Sequence, residues 1–481
     1  MAKKKSRKKE EIYVSFVDEP ASEQVTGSMV YIRTPYHQIL LDAGFCQTND
    51  IRDDYLVNRR QFKEFKAKEI DYIFLSHNHG DHIFETPVLY QRGCRATTII
   101  PTGNKPILQA MMRDCLYINE RDAELLREKY KKNYPPLFEE KDLSLLTEHI
   151  QEYEMQRRIK LDDHLSFQLF PSGHLKGGCQ IMLYITLHTG VKKILYTGDL
   201  GNPTLPQPFV ETFVPIKKAN LVIGESTYGD KPEAVITKKE REKELRDLKE
   251  MIQYRVSEQH GRVIIPVFAQ QRAQNLAWYL YEIFGKTDFP YHIYVDSPLA
   301  CEIFRLFDLV STNKDKQQMK QLLNWKNLKL IRESTDSQCL TESLEPCVIL
   351  SSSGMCNHGR VKHHIKHLIS DKNATILFCG YSADGTLASL LKDSSRNHIL
   401  IDAEDFSVQC ECHSFHTMSS HMPFQELVKY YTGIQCETLC LHHGNQNGKA
   451  MLKEACEEEY QKQFRTTHVK IADKTTRLQI R

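Results

Sequence analysis

The sequence predicts an α/β sandwich interrupted by a second, inserted α/β unit. Three observations lead there. From residue 12 the chain reads as short apolar strands joined by tight turns, with helices between the later strands, which is the order of an α/β sandwich. After Tyr228 the texture changes to a regular alternation of buried-type strands and helices, as in a parallel-sheet unit. Histidines of chemical interest cluster between residues 77 and 174 and reappear only after residue 410, so the alternating unit stands inside a domain that resumes beyond it.

The elements follow in order. Apolar runs predict strands over 12–17, 28–33, 38–41 and 70–75. Residues 104–157 are charged and helix-rich, broken at Pro135-Pro136. Strands resume over 165–170, 180–185, 193–196 and 221–224. A charged helix is expected over 236–255, a buried strand over 262–268 and a helix over 270–284. Strand–helix pairs follow at 291–295 and 300–309, 348–351 and 360–369, and 375–379 and 386–391. The expected division is a basic disordered tail over 1–11, a first domain in two parts over 12–228 and 405–481, and the insert over 229–404. No internal repeat interrupts this pattern.

With 481 residues, 41% hydrophobic and 26% charged, the chain can bury a sizeable core and has an ordinary soluble composition. Its net charge of +2 is uneven. The first nine residues hold six Lys and Arg, and without them 58 basic residues face 62 acidic ones. Such a tail suits a tether for nucleic acid, a solubilising extension or an import signal, and composition fits all three. No apolar segment follows it as in a secretory signal, and no run approaches the ~18 apolar residues of a membrane span. The expected setting is cytoplasmic, with the 14 scattered cysteines reduced. Cys410-Glu411-Cys412-His413 lacks a second pair at zinc-ribbon spacing and reads as structural.

The most specific signal is His77-Asn78-His79-Gly80-Asp81-His82, which follows the apolar run at 70–75. Three imidazoles and a carboxylate within six positions, on a loop at a strand end, can splay toward two metal ions.

Further motifs resemble the metallo-β-lactamase fold: Leu41-Asp42-Ala43-Gly44 upstream, then Ser172-Gly173-His174 and Tyr196-Thr197-Gly198-Asp199. Gly224-Glu225-Ser226-Thr227-Tyr228-Gly229 resembles its β-CASP branch of nucleic-acid nucleases. The insert adds Pro266-Val267-Phe268-Ala269, Arg272-Ala273-Gln274, Asp296-Ser297-Pro298, Ser352-Ser353-Gly354-Met355, and Gly380-Tyr381 with Gly385-Thr386-Leu387. The resemblance spans residues 12–450 and implies an αββα sandwich with an inserted α/β β-CASP domain.

The resemblance also implies a site. His77, His79 and His174 would hold one zinc, Asp81, His82 and His443 a second, with Asp199 bridging. Two such ions clamp a phosphate and lower the pKa of a shared water. Asp81 would also orient the attacking hydroxide, and Asp42 would orient a ligand histidine. Glu225 and His421 would form the pair that protonates the leaving oxygen. His421 sits in Met418-Ser419-Ser420-His421-Met422-Pro423, where the family reads Phe-Ser-x-His-x-Asp, and His413 and His416 offer rival registers. His443 precedes Gly444 as in the family, although Asn445 stands where Glu is common and His442 is an adjacent decoy. A histidine at 443 goes with RNA-processing members. Ser352, Ser353 and Gly354 would cradle a phosphate, with Arg272 and Arg360 pairing to the backbone, although ordinary turn and surface roles suit these residues as well.

The expected activity is a zinc-dependent, endonucleolytic ribonuclease on single-stranded RNA, leaving 5′-phosphate and 3′-hydroxyl ends. The alternatives are a DNA nuclease of the repair type, a small-molecule hydrolase, and a catalytically silent scaffold in an RNA-processing complex. Relatives also raise the option of a homodimer.

Overall fold

The computed structural model describes residues 10–17, 25–48, 50–233, 236–310, 313–380, 382 and 385–480. The chain divides into two compact units. The first holds Met1–Pro203, Glu211–Ala234 and His421–Arg481, and the second holds Thr204–Val210 and Val235–Ser420.

The first unit is built on two seven-stranded sheets. One runs, edge to edge, Arg477–Ile480, Ile12–Phe16, Val30–Arg33, Gln38–Leu41, Tyr72–Phe74, Thr97–Pro101, Ile150–Tyr153. The other runs His468–Ile471, Thr438–Leu441, Leu221–Gly224, Gly190–Tyr196, Cys179–Leu187, Leu165–Pro171, Ile159–Lys160. Strand periodicity decides what each face buries. In Cys179–Leu187, the side chains of Ile181, Leu183 and Ile185 enter the core between the sheets, beside Val14, Ile32 and Phe74. Met182 and Tyr184 point the other way, onto helix Phe424–Thr432. Leu195, Val222 and Leu439 do the same, so that helix and Gln446–Lys462 cover the sheet's outer face with Leu427, Tyr431 and Leu452. Helix Glu140–His149 packs on strand Thr97–Pro101 of the opposite sheet. The result is the expected αββα sandwich.

Strand direction places the chemistry. Leu165–Pro171, Gly190–Tyr196, Leu221–Gly224 and Thr438–Leu441 all point the same way. Their C-terminal ends release His174, Asp199, Glu225 and His443 at one rim. Gln38–Leu41 and the parallel Tyr72–Phe74 release Asp42 and the His77–His82 loop. Cys179 N–H donates to the Ser76 carbonyl at 2.8 Å, joining the two sheets there.

The second unit is a six-stranded sheet, in the order Leu328–Ile331, His292–Asp296, Cys347–Ser351, Arg262–Pro266, Ala374–Cys379, Glu411–Phe415, and every pairing is parallel. Helices such as Arg272–Phe284 and Arg360–Leu368 link its strands.

The structure moves several expected boundaries. The return to the first unit comes at His421 rather than 405, because Glu411–Phe415 pairs with Ala374–Cys379 (Ile376 opposite Cys412). Thr204–Val210 also belongs to the insert, which resumes at 235 rather than 229. Of the expected tail, residues 1–9 lie outside the described residues, as does Tyr381. Glu10 is tied down by the His188 N–H, which donates to its Oε2 at 2.7 Å. Strands Thr97–Pro101, Ile150–Tyr153, His468–Ile471 and Arg477–Ile480 were not expected; the last closes a sheet by pairing Ile480 with Ile12. Such short strands gain their identity from a partner distant in sequence, which periodicity cannot report. No described helix is long and apolar enough to cross a membrane.

Candidate metal centre

Seven side chains from four chain segments meet at the rim of the first unit. His77 Nε2 lies 3.2 Å from His79 Nδ1, and His79 Nδ1 lies 3.4 Å from His174 Nε2. Asp199 Oδ2 completes this set at 3.5 Å from His77 Nε2 and 3.6 Å from His174 Nε2. With zinc–ligand bonds of about 2.0–2.1 Å, the edge of a tetrahedron is about 3.3–3.4 Å, so four atoms with these spacings suit one ion. Beside them, Asp81 Oδ2 lies 3.3 Å from His443 Nε2 and 3.8 Å from His82 Nε2. Asp199 turns its other oxygen to this second set, with Oδ1 3.4 Å from His82 Nε2 and 3.2 Å from His443 Nδ1. One carboxylate therefore faces both groups.

The rings carry the right protons for this task. Asp42 is fully buried at a positive φ of 58°. Its Oδ2 accepts from His82 Nδ1 at 2.6 Å, which leaves Nε2 as the nitrogen facing the donor group. Ser76 spends its only hydroxyl proton on the same Oδ2 at 2.7 Å, so His77 Nδ1, 2.9 Å from Ser76 Oγ, must be the donor there. His77 Nε2 is then bare. Ser76 N–H donates to Asp42 Oδ1 at 2.6 Å, fixing the carboxylate's plane. Asp42 thus sets one ring in each group.

Electrostatics point the same way. Burial and the neighbouring His82 push the His77 ring well below its ordinary pKa, and burial takes His79 to about 4, so both are neutral donors. Burial works against the charged forms of Asp81 and Asp199, yet the histidines around them hold both below the usual carboxylate range. Against the same burial, Asp199 and its neighbours pull His82 well up and His443 to about 9. A buried pocket that keeps two carboxylates ionised and draws positive charge onto its imidazoles suits cations.

Two glycines make room for this geometry. A Cβ on Gly44 would stand 1.7 Å from the Asp81 carbonyl oxygen and 2.5 Å from His82 N. A Cβ on Gly201 would stand 1.7 Å from the Gly173 carbonyl oxygen and 2.6 Å from His174 N. Only glycine permits each backbone to pass the ligand-bearing peptide this closely.

His421 and Glu225 stand at the edge of the cluster. His421 Nδ1 lies 3.6 Å from Glu225 Oε2 and 4.0 Å from Asp199 Oδ2, with its ring 4.5 Å from that of His174. Glu225 is anchored by the N–H groups of Leu200 at 2.6 Å and Thr227 at 3.2 Å. Burial disfavours the charged His421 ring, but the nearby carboxylates of Glu225, then Asp199, raise its pKa overall. The rival histidines are elsewhere: His413 is exposed on strand Glu411–Phe415 and His416 is exposed just beyond it, both in the other unit. Asn445 caps helix Gln446–Lys462, its Oδ1 accepting from Gly448 N–H at 2.6 Å.

In the second unit, Arg272 and Gly354 line one cavity with Phe268 and Gly380. Ser352 and Ser353 precede Gly354 on the same loop but do not line it. Arg360 is committed to the fold. Its guanidinium donates to Asp296 Oδ1 at 2.8 Å and to the carbonyls of Ile331 at 3.3 Å and Arg332 at 2.6 Å, so its place is structural rather than at a phosphate.

Sequence reasoning overlooked Ser76, Tyr196, Ser28 and Gly201. Ser76, Tyr196 and Gly201 were within reach, since each stands within three residues of a ligand-type side chain; Ser28 touches the site from a distant segment.

Residues 23–107 match the metallo-beta-lactamase superfamily, and residues 273–391 match the Beta-Casp domain. The chain therefore carries a metallo-beta-lactamase domain and a Beta-Casp domain. Its relatives include Ribonuclease TTHA0252 of Thermus thermophilus, 27% identical over 86% of this chain and 89% of that protein. An RNase J-like protein of Methanocaldococcus jannaschii is 28% identical over 88% of this chain and 90% of that one. Endoribonuclease ysh1 of Schizosaccharomyces pombe is 25% identical over 92% of this chain, which spans 55% of its length. A solved protein of unknown function from Enterococcus faecalis shares the fold, at a TM-score of 0.52, 14% identity, and coverage of 98% of this chain and 100% of that one. Metal binding is a property of the superfamily, and the two β-CASP-protein donor groups fit it.

Proposed function

We propose that this β-CASP protein is a ribonuclease that hydrolyses phosphodiester bonds within single-stranded RNA, with two zinc ions in the donor groups described. The observation that carries the reading is His421 set against Glu225 beside those groups, because it adds a proton donor to a site shaped for ions. Its relatives' names, ribonuclease and endoribonuclease, support the substrate.

His77, His79 and His174 would hold one ion, Asp81, His82 and His443 the other, and Asp199 both. When bound, the ions supply Lewis-acid stabilisation of the phosphoryl oxygens and lower the pKa of water. The chain's own groups do the rest. Asp81 has an oxygen at the mouth of the cluster, its side chain 23% exposed, where it can orient the attacking water. The Glu225 carboxylate, 3.6 Å from His421 Nδ1, favours the imidazolium, which leaves Nε2–H to protonate the departing 3′ oxygen. In the insert, Arg272 and Phe268 offer a phosphate partner and a stacking face in one cavity. The proposed setting is the cytoplasm, and the 14 cysteines are free thiols.

Cleavage of 5′- and 3′-labelled single-stranded RNA, with a matched DNA strand alongside, tests this. Wild type with zinc should give internal RNA fragments ending in 5′-phosphate and 3′-hydroxyl, and Asp81→Ala should give none. RNA left intact by zinc-loaded protein would refute the reading. Equal or faster cutting of DNA would transfer it to the repair-type nuclease.

A further inference from the structure

A file of hydrogen bonds runs behind the metal centre, on the side of Asp42 away from the imidazoles. Tyr196 OH donates to Asp42 Oδ2 at 2.7 Å. Ser28 Oγ lies 2.8 Å from Tyr196 OH, and His442 Nε2 lies 3.0 Å from Ser28 Oγ. The four residues are closed off from water, with exposures of 0% for Asp42, 2% for Tyr196, 0% for Ser28 and 1% for His442.

The proton order in this file has one solution. Tyr196 has a single hydroxyl proton, and the carboxylate takes it. Ser28 must therefore give its own proton to the Tyr196 oxygen. The Ser28 oxygen then receives from His442, so Nε2 of that ring carries the hydrogen. The other ring nitrogen of His442, Nδ1, is buried without a hydrogen-bond partner, as expected of a neutral ring whose one N–H is spent on Ser28. Every proton in the file points toward Asp42. With His82 and Ser76, Tyr196 makes the third donor on Asp42 Oδ2.

We infer that Tyr196, Ser28 and His442 are positioning residues for the metal centre, holding Asp42, and through it His82, in the orientation that presents His82 Nε2 to an ion. The inference rests on reading His82, Asp81, Asp199 and His443 as a metal site. A carboxylate that loses one of three donors on Oδ2 is held less firmly on that side, and so is His82, which rests on the same oxygen. Ser76 N–H still holds Oδ1, and His77 meets the carboxylate only through the Ser76 hydroxyl. The loss therefore falls on the His82 group.

The test is zinc binding by the full chain, with zinc alone titrated against a chromophoric chelator, bound metal counted by mass spectrometry, and folding followed by circular dichroism. Wild type should hold two zinc ions. Tyr196→Phe should bind the second about 10-fold more weakly, at the lower end of what outer partners of metal ligands contribute, with the first within about 3-fold. His442→Leu should shift affinity in the same direction, and His442→Gln, whose amide can still donate to Ser28, should restore it. If Tyr196→Phe does not fold, the Leu and Gln variants at 442 decide alone. Second-ion affinities equal to wild type in Tyr196→Phe and His442→Leu would overturn the inference while leaving the metal centre standing, and a Gln variant as weak as Leu would overturn it for His442. A wild-type chain that takes up fewer than two ions would remove the metal-centre reading and the inference with it.

Discussion

Gly44→Ala is the substitution that most directly sets backbone geometry against the site. The added Cβ would lie 1.7 Å from the Asp81 carbonyl oxygen, 1.9 Å from its carbon and 2.5 Å from His82 N. A carbon–oxygen contact near 3.2 Å requires a displacement of about 1.5 Å. The neighbours it must push are backbone atoms, which cannot swing aside as a side chain can. The Asp81 oxygen also accepts from Ser28 N–H at 2.7 Å, and a shift of that size breaks the bond. Overpacking of about 1–3 kcal/mol plus about 1 kcal/mol for the hydrogen bond gives a destabilisation of about 2–4 kcal/mol. The functional loss should be larger than that alone suggests, because Asp81 and His82 both ride on the displaced peptide. A misplacement of about 1 Å in a reacting group costs on the order of 100-fold, so RNA cleavage should fall at least that far, together with zinc content. Thermal denaturation, metal analysis and cleavage of labelled RNA on one preparation give all three numbers. A Gly44→Ala protein with two zinc ions and wild-type cleavage would refute the reasoning.

Three further outcomes are expected. His421→Ala should slow RNA cleavage about 100- to 10,000-fold with zinc content unchanged, measured by single-turnover kinetics and metal analysis; loss of zinc in step with activity would count against a proton-donor role. Arg360→Ala should cost about 3 kcal/mol of stability by stranding the buried Asp296 with His364 and Ser337, and chemical denaturation would show it; unchanged stability with weakened RNA binding would return Arg360 to the substrate. Asp54 has its pKa raised from 3.8 to about 6, mainly by burial, against hydrogen bonds from Thr48 and with help from the charge of Asp122. The native state therefore binds this proton more tightly than the unfolded chain, and the group's favourable contribution is present below pH 4 and lost as pH rises through 6. Asp54→Asn should stabilise the protein by about 1–2 kcal/mol at pH 7.5, after allowance for solvent screening, and by nothing at pH 4, as read from thermal melts at both.

The candidate donor set was legible because it is a matter of residue type and local spacing. The His77–His82 loop, His174, Asp199 and His443 each follow an apolar strand, and a strand end is where side chains leave the sheet together. The alternation of the insert was legible for the same reason, since a strand buried on both faces and the helix after it differ in period over a few residues. His421 was harder. Three histidines within nine residues fit the motif about equally, and only the pairing of Glu411–Phe415 with Ala374–Cys379 leaves His413 and His416 in the other unit and brings His421 to Glu225. Arg360 failed differently. A guanidinium beside a Ser-Ser-Gly loop suits a phosphate, but a buried carboxylate from another strand claims it first.

By itself, then, the sequence determined which donor-type side chains stand at strand ends and that two α/β units share the chain. Tertiary structure decided how those atoms are aimed. Asp42 sets the proton on His82, 40 residues away, and through Ser76 the proton on His77. Ser28 reaches Tyr196 across 168 residues and His442 across 414. Ligand chemistry belongs to a side chain and can be read where it stands. Orientation belongs to the contacts around it, and these arise only when the two sheets close on their common core.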